Sequence, residues 1–354
     1  MKWGIMQIKR NGYTISVSEP TLYVDNKSRF RSGHMTHAMV ELPNGKIVNF
    51  NANSSALRFN GHSTYGWVEY RISNDGGKTY SPIRDLPYAK KAFEDGMEMI
   101  SVEKAVACDD GTIVAICLRN APMSVCQPWN TPTVIYSKDE GETWSDPYEL
   151  CTYRGRVYDA VYEKGVIYAL EFCNDGEGNF CGHRPEHLYR LFVSKNNGES
   201  FEELCVVPLP TEGRSYAAML FDKTGRLHIY AYNVNDEYNG DYIYSDDFGK
   251  TWSVAETCRF AKGIRNPQCA LVDGVYVLHA RGGDMTGFVL YTSLDGKTWD
   301  EGVYLQDKRC LGYYSNNVLT KDEKGKNTLL IQYSDPYELD RVNVMHQWLK
   351  IEKQ

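Results

Sequence analysis

Paired apolar stretches recur along this chain, and a short polar turn separates the two members of each pair. Turns of the Asn-Gly, Asp-Gly or Lys-Gly kind between two apolar stretches are typical of β-hairpins. Six such hairpins are distributed over the chain, namely HAMVELPNGKIVNF, KAVACDDGTIVAIC, DAVYEKGVIYALEF, AAMLFDKTGRLHIYAY, CALVDGVYVLHA and NNVLTKDEKGKNTLLIQY. This pattern predicts a protein built from β-strands.

A polar octapeptide occurs five times, each time after a further strand-like segment that follows a hairpin. Its copies are SNDGGKTY (73–80), SKDEGETW (137–144), SKNNGESF (194–201), SDDFGKTW (245–252) and the shortened SLDGKTW (293–299). The copies start about 50 to 60 residues apart, a spacing typical of repeat architectures. In each copy an Asp or Asn accepts hydrogen bonds from the turn, and the last aromatic ring packs between neighbouring sheets. We therefore interpret the octapeptide as a structural turn.

The repeating unit consists of strand A, a turn, strand B, a loop, strand C, the octapeptide and strand D. The sixth hairpin is followed by a third strand, RVNVMHQWLKI, and by no octapeptide. Its outer strand can come from the N-terminal segment YTISVSEPTLYV, which closes the ring and removes the open sheet edge. We predict a single domain over residues 1–354, an all-β six-bladed β-propeller of four-stranded antiparallel blades, closed by N- and C-terminal strands.

Composition and charge exclude several classes of partner. The formal net charge is −7 and no basic run is present, which argues against nucleic acid as a partner. No stretch approaches the ~20 apolar residues of a membrane helix and no signal peptide is evident, so we expect a cytoplasmic protein without a membrane partner. Zinc-type ligands lie close together in CNDGEGNFCGHRPEH (173–187), but their spacing matches no zinc motif, so neither a metal nor a cofactor is expected.

The repeated S-x-D-x-G-x-T-W turns on this hairpin pattern resemble those of the sialidase (neuraminidase) superfamily of Asp-box propellers, over essentially the whole chain. In such a propeller the loops that enter strand A and those that leave strand B share one face and surround a pocket at the central tunnel. The resemblance implies three arginines that bind a substrate carboxylate, and a tyrosine nucleophile that is activated by a glutamate. The octapeptide is called the Asp box below.

Arginine is concentrated in these loops, at Arg31, Arg154, Arg156, Arg214 and Arg265 before strand A and at Arg58, Arg119, Arg184 and Arg281 after strand B. A guanidinium group matches a carboxylate as a planar fork, so several of them at one tunnel mouth predict an anionic ligand. The resemblance places Arg31 and Arg265 on that carboxylate. The position of the third arginine reads HIYAYNVN here, and Arg214 or Arg281 could replace it. The predicted binding residues are Arg31, His37, Arg156, Arg214, Arg265 and Arg281.

Two adjacent tyrosines, Tyr313 and Tyr314, enter the sixth blade, where the resemblance implies the nucleophile. A tyrosine, whose ordinary pKa is about 10, needs a neighbouring base to act in this role. Glu212 enters the fourth blade, close to the position that the resemblance gives to the activating glutamate. The sequence leaves open which of the two tyrosines faces the pocket.

The acid/base aspartate that the resemblance implies has no counterpart, because no aspartate lies between Asp25 and Asp75. His62 lies in the corresponding loop, and a histidine with an ordinary pKa near 6.5 can transfer protons. His34 and His37 enter the same blade and are expected to face the same pocket. We therefore predict His62 and His34 as candidates for proton transfer.

Three functions fit these residues. The first is a sialidase-like glycoside hydrolase that acts on a carboxylate-bearing sugar at the end of a glycan, with departures from the plain sialidase pattern. The second is a lyase or hydrolase for uronic acid glycans, since β-elimination needs a neutralised carboxylate and a base such as Tyr or His. The third is a propeller that binds glycans without turnover.

Overall fold

The strands of this protein follow one another in the order that the hairpin pattern predicts. The computed structural model describes residues 3–10, 12–55, 66–121, 130–175, 180–310 and 312–354. The chain begins with β1 (Trp3–Arg10), β2 (Tyr13–Ser18) and β3 (Thr21–Val24). Blade 1 consists of β4 (Met39–Glu41), β5 (Ile47–Ser54), β6 (Gly66–Ser73) and β7 (Arg84–Asp85), and helix α1 (Pro87–Asp95) follows it. Blade 2 consists of β8 (Met99–Ala107), β9 (Ile113–Asn120), β10 (Thr133–Ser137) and β11 (Tyr148–Glu149).

The other blades repeat this arrangement. Blade 3 consists of β12 (Gly155–Glu163), β13 (Val166–Cys173), β14 (Leu188–Ser194) and β15 (Glu202–Val207). Blade 4 consists of β16 (Arg214–Phe221), β17 (Leu227–Asn233), β18 (Asn239–Ser245) and β19 (Glu256–Arg259). Blade 5 consists of β20 (Arg265–Val272), β21 (Val275–Arg281), β22 (Phe288–Ser293) and β23 (Val303–Gln306), with a short 3-10 helix at Gly283–Met285. Blade 6 contains β24 (Ser315–Lys321), β25 (Asn327–Glu338) and β26 (Arg341–Lys353).

Each blade is an antiparallel sheet, and in blades 1 to 5 strands A to D lie side by side in chain order. The innermost strands β4, β8, β12, β16, β20 and β24 contact one another in a closed ring. Six sheets arranged around one axis in this way form a six-bladed β-propeller. The predicted fold is confirmed.

Both ends of the chain contribute to blade 6. Strand β2 pairs with β26, so that Tyr13 lies opposite Lys353 and Val17 lies opposite Leu349. This pairing is the predicted closure of the ring. Strand β3 also pairs with β26, and β1 lies outside β2 as a further strand that the hairpin pattern does not predict.

The Asp boxes join each blade to the preceding one. In blade 2, Ser137 Oγ accepts a hydrogen bond from the Gly141 N–H at 2.8 Å, and Asp139 accepts bonds from the Thr143 N–H at 2.8 Å and the Thr143 hydroxyl at 2.6 Å. A box glycine carbonyl also accepts a hydrogen bond from the preceding blade at five interfaces: from Trp348 to Gly76, Tyr70 to Gly141, Tyr148 to Gly198, Cys205 to Gly249 and Tyr230 to Gly296. These contacts give the boxes the structural role that their composition predicts.

The core lies between adjacent blades, where aromatic side chains fill the space. The ring of Trp144, the last residue of the second box, lies 5.7 Å from the ring of Phe50 and 5.9 Å from that of Tyr70 in blade 1. Helix α1, which the hairpin pattern does not predict, packs beside them with Phe93 at 4.9 Å from Trp67. No helix among the described residues is long and apolar enough to cross a membrane.

Four innermost strands carry a β-bulge near the end at which they begin. The register with strand B shifts between Val102 and Lys104, Val157 and Asp159, Arg214 and Ala217, and Arg265 and Gln268. A bulge adds a residue to one strand and so interrupts the alternation of side chains between the two faces. Simple alternation therefore does not tell which side chains of these strands face the tunnel.

Candidate active site

The innermost strands surround a small cavity at the end of the tunnel where they begin. All six blades contribute to its lining, which consists of Thr36, His37, Val102, Glu103, Arg156, Tyr158, Tyr216, Asn266, Gln268, Tyr314, Ser315 and Asn316. A larger cleft of about 780 Å³ lies on the outer surface, where Lys78 and Lys350 are close to Asp322. Unlike that cleft, the tunnel cavity brings polar side chains from all six blades together, so it is the candidate site.

A chain of hydrogen bonds leads from a buried ion pair to Tyr314. Arg156 is 1% exposed, and Glu103 Oε2 accepts hydrogen bonds from its Nε at 2.7 Å and its Nη2 at 2.6 Å. Arg156 Nη1 donates to the Tyr216 hydroxyl, which in turn donates to the Tyr314 hydroxyl at 3.2 Å. Burial alone would lower the pKa of Arg156, but the carboxylate of Glu103 raises it, so the guanidinium group is charged. A fixed positive charge therefore polarises the hydrogen bond to Tyr314.

Two more arginines, Arg265 and Arg281, are not among the residues that line the cavity, but each is close enough to Tyr314 to interact electrostatically with it. Glu237 Oε1 lies 3.1 Å from Arg265 Nη1 and 3.9 Å from Arg281 Nη2. Burial lowers the pKa of Arg281, the charge of Arg265 lowers it further, and Tyr314 and Glu237 act in the opposite direction. Two guanidinium groups therefore lie beside one carboxylate in this part of the structure.

A second polar network forms the floor of the cavity. Lys104 Nζ donates to Gln268 Oε1 at 2.8 Å and to Asn316 Oδ1 at 2.9 Å, and it lies 2.9 Å from Asp159 Oδ1. These four side chains come from blades 2, 5, 6 and 3, so the network spans the tunnel. Buried charges paired in this way resist rearrangement, which fixes the shape of the floor.

The two histidines of the described part of blade 1 are both buried. His37 lines the cavity, where its Nε2 lies 2.9 Å from Ser334 Oγ and its Nδ1 lies 3.4 Å from Gln332 Nε2. His34 Nδ1 lies 3.1 Å from Ser32 Oγ. Burial lowers the pKa of each of the two histidines to about 3. Both rings are therefore neutral near pH 7, which disfavours either of them as a general acid.

The structure distinguishes the two adjacent tyrosines. Tyr314 lines the cavity, whereas Tyr313 is fully buried in the core between blades 5 and 6. The ring of Tyr313 stacks on Phe288 at 6.1 Å, and its hydroxyl donates to the Lys308 carbonyl at 2.8 Å. Of the two candidate nucleophiles, the structure brings only Tyr314 into the cavity.

Arg31 is not among the residues that line the cavity. Arg31 Nε donates to Asn53 Oδ1 at 2.6 Å, and its guanidinium carbon lies 5.4 Å from the centre of the Trp67 ring. Its side chain therefore extends along blade 1 and does not join Arg156 at the cavity. His62 lies in the segment 56–65, outside the described residues, and its role stays a prediction.

Arg214 and Glu212 also lie away from the cavity lining. Arg214 Nε donates to Asp241 Oδ2 at 2.7 Å, and Arg214 Nη1 donates to the Glu212 carbonyl at 2.8 Å. Glu212 is exposed. The roles suggested for these two residues by the resemblance stay predictions, and in the cavity the neighbour of Tyr314 is Tyr216.

Three residues of the site are not singled out by the sequence: Glu103, Tyr216 and Glu237. Glu103 and Tyr216 lie within the bulges of β8 and β16, so alternation along these strands assigns other side chains to the tunnel. Glu237 lies in the loop that leaves strand B of blade 4, which the propeller pattern marks as part of the mouth. Glu237 could have been found by searching the mouth loops for acidic residues that can pair with the arginines.

The cysteine- and histidine-containing segment 173–187 follows strand β13. Its residues 176–179 lie outside the described part of the chain. Over the ranges that the structure describes, no three His, Cys, Asp or Glu side chains are grouped so that they could hold a metal ion.

Comparison with known sequences gives two matches. The family model described as BNR/Asp-box repeat matches residues 243–254, which contain the fourth Asp box. A protein of Paraclostridium sordellii named "Sialidase" is 25% identical over an alignment of 227 residues, and the match covers 56% of this chain and 53% of that protein. The chain thus spans about half the length of this curated relative.

Solved structures share the fold over nearly the whole chain. A protein of unknown function from Dyadobacter fermentans has a TM-score of 0.70 and 16% identity, and the match covers 96% of this chain and 99% of that one. The sialidase of Trypanosoma rangeli, in complex with 2,3-difluorosialic acid and described as a covalent intermediate, has a TM-score of 0.65 and 13% identity. That match covers 98% of this chain and 59% of the other. At such identities the similarity shows the fold.

Proposed function

We propose that this chain, a β-propeller of the sialidase superfamily, is a glycoside hydrolase that acts on a carboxylate-bearing sugar at the end of a glycan. The observation that carries the proposal is the position of Tyr314, whose hydroxyl lies at the tunnel cavity, bound to Tyr216 and close to three arginines. The sialidase relative and the sialidase fold support the same reaction class.

Tyr314 is the proposed nucleophile. After loss of its proton to water, its oxygen attacks the anomeric carbon, the bond to the leaving-group oxygen breaks, and that oxygen takes a proton from the donor predicted at His62. Water then replaces Tyr314 at the anomeric carbon and returns a proton to the donor. Most glycosidases use a carboxylate for this attack. A phenol needs its negative charge stabilised, which the Tyr216 hydroxyl and the nearby guanidinium groups do.

Arg265 and Arg281 are the proposed partners of the substrate carboxylate. Glu237 Oε1 lies 3.1 Å from Arg265 Nη1 and 3.9 Å from Arg281 Nη2, so two positive charges lie beside this one carboxylate. Burial and, after it, the charge of Arg265 lower the pKa of Arg281, and a carboxylate that enters beside Tyr314 would offset both effects. This arrangement favours an acidic sugar over a neutral one.

Covalent labelling tests the proposal. Wild-type protein incubated with 2,3-difluorosialic acid should gain the mass of one glycosyl unit, and peptide mapping should locate it on Tyr314. Tyr314→Phe should take no label and should lose turnover of fluorogenic sialosides and uronides by about a thousandfold or more. Tyr313→Phe makes the same change at the adjacent, core-packed position and should keep both labelling and turnover.

Two other outcomes would contradict the proposal. A product that absorbs as an unsaturated uronide would identify a lyase, because elimination leaves a double bond in the sugar. Saturable binding of glycans with no product from any sialoside or uronide would identify a binding propeller.

A further inference from the structure

Two residues of the cavity combine burial with a strained backbone. Among the described residues, eleven non-glycine positions have a positive φ, and nine of them lie in exposed or half-buried turns and loops. The two that are buried are Thr36, with φ 62° and 4% exposure, and Asn266, with φ 53° and 6% exposure. Both line the tunnel cavity.

The strain is maintained by contacts with the blade that carries Tyr314. A β-branched residue is an outlier in the left-handed region, and such residues persist where the surrounding structure holds them. Asn266 Nδ2 donates to the Tyr313 carbonyl at 3.3 Å. Next to Thr36, His37 is fixed by Ser334, whose backbone N–H donates to the Tyr314 carbonyl at 3.0 Å. Blades 1 and 5 thus hold these two residues on either side of Tyr314.

Each of the two residues has a side-chain oxygen that forms no hydrogen bond with the described protein atoms. Thr36 Oγ1 and Asn266 Oδ1 are buried and take part in no hydrogen bond with the described protein atoms. An unsatisfied buried oxygen opposes folding, so its presence asks for an explanation. Other buried atoms of this chain share that property, but only these two add backbone strain and a place in the cavity lining.

We propose that Thr36 Oγ1 and Asn266 Oδ1 bind hydroxyl groups of the sugar ring beside Tyr314. Asn266 Oδ1 can only accept a hydrogen bond, so its partner is a donor such as a sugar hydroxyl, whereas Thr36 Oγ1 can accept or donate. The two residues therefore favour a ring that presents a hydroxyl donor to Asn266 Oδ1 and a second hydroxyl group to Thr36 Oγ1. The inference rests on the proposed function for the place of the ring, but it requires no carboxylate.

The substitution Thr36→Val keeps the β-branched shape and removes the hydroxyl. Because an unsatisfied buried oxygen is lost, we expect the Tm of the free protein to rise by about 1–3 °C. Because a hydrogen bond to the sugar is lost, the Kd for the sugar should rise about three- to tenfold. If the Thr36 hydroxyl instead had a structural role, the Tm of Thr36→Val would be lower than that of the wild type. The variant Thr36→Ser keeps a hydroxyl at this position, so its Kd should equal that of the wild type.

Asn266→Gly tests the second oxygen with a matched control. Glycine tolerates the left-handed conformation, so this variant removes Oδ1, together with the Nδ2 bond to the Tyr313 carbonyl, without adding backbone strain, and its Kd should rise about three- to tenfold. Asn197→Gly makes the same change at a left-handed asparagine in the third Asp box, and its Kd should not change. Calorimetric titration with N-acetylneuraminic acid, glucuronic acid and galactose supplies the binding data.

The three sugars separate failure of the inference from failure of the proposed function. If the wild type binds galactose but neither acid, and Thr36→Val weakens that binding, the acidic substrate is wrong and the inference stands. If Thr36→Val lowers Tm and leaves Kd unchanged, the inference is overturned. It is also overturned if the wild type binds none of the three sugars.

Discussion

The Asp-box turns at the outer end of the blades and the strand ends at the tunnel mouth use polar side chains in opposite ways. In the second box, Asp139 accepts hydrogen bonds from Thr143 and Ser137, all within one turn. At the tunnel mouth, Thr36 and Asn266 have a positive φ and carry buried oxygens that form no hydrogen bond with the described protein atoms. The turns satisfy their polar groups locally, whereas the mouth leaves these two oxygens unsatisfied by the described part of the chain.

The acidic side chains show the same contrast. The Thr143 hydroxyl, followed by the Thr143 N–H, lowers the pKa of Asp139 to about 2. In strand β13, burial raises the pKa of Glu171 to about 7, and the thiol of Cys151, which donates to its Oε2 at 3.0 Å, offsets only part of this effect. A carboxylate is thus stabilised where the turn supplies donors and destabilised where the inner half of a blade buries it.

The largest effect is expected from the ion pair at the mouth. Arg156→Met leaves Glu103 buried without its partner, so we expect a loss of about 3–5 kcal/mol in the free energy of unfolding. The measurement is urea denaturation near pH 7. The double variant Glu103→Leu/Arg156→Met removes both charges and should recover most of the loss. A double variant as unstable as the single one would mean that Arg156 stabilises the protein through packing alone.

A pH-dependent effect is expected from Glu171. The pKa of Glu171 is raised in the folded state. The stability that the protonated side chain contributes is therefore fully present below its unfolded pKa, and it is lost as the pH rises through about 7. The loss amounts to about 3 kcal/mol. Glu171→Gln should therefore be more stable than the wild type at pH 8, and the difference should fall toward zero below about pH 4.5.

Denaturant unfolding of both proteins between pH 4 and pH 8 measures this difference. The buried histidines titrate in both proteins, so their contribution cancels when the two curves are subtracted. Two curves that run parallel over the whole range would show that Glu171 keeps an ordinary pKa in the folded protein.

The fold could be predicted from the sequence because its signals are local. The partners of Asp139 lie within four residues of it, and each hairpin turn joins neighbouring strands, so short stretches of sequence define the repeating unit. The blade count and the closure by β2 followed from these signals. Helix α1 and strand β1 interrupt the repeat, and no comparable local pattern in the sequence predicts them.

The candidate site depends on contacts between distant residues. Arg156 meets Glu103 across 53 residues of sequence, and Tyr216 meets Tyr314 across 98. The bulges in β8 and β16 also change which side chains face the tunnel. The loops of the mouth could be located, but the choice of Tyr314 over Tyr313 required the packing of two blades.

The same change, from tyrosine to phenylalanine, can be made beside an Asp box and in the tunnel cavity, and it compares the roles of the two hydroxyl groups. Tyr230 donates a hydrogen bond to the Gly296 carbonyl of the fifth box at 2.7 Å, and Tyr216 donates to Tyr314 at 3.2 Å. We expect Tyr230→Phe and Tyr216→Phe each to lower the free energy of unfolding by about 1 kcal/mol. Only Tyr216→Phe should lower kcat, because only this hydroxyl contacts the proposed nucleophile. Equal kcat for the two variants would remove Tyr216 from the proposed mechanism.

The smallest effect is expected from exchanging the acid and the amide between two Asp boxes. The third box carries Asn196 in place of Asp, and its Oδ1 accepts the Ser200 N–H at 3.1 Å, so the turn forms with either side chain. Asp139→Asn should therefore destabilise the protein only slightly near neutral pH.

The pKa of Asp139 is lowered in the folded state, so the carboxylate stabilises the fold above its unfolded pKa, and this stabilisation disappears as the pH falls through about 2. Thermal unfolding between pH 2 and pH 5 should show wild type and Asp139→Asn converging at the acid end, and Asn196→Asp should gain stability over the same range. A loss from Asp139→Asn that does not change with pH would mean that the geometry of the turn, and not the charge of Asp139, is what the box requires.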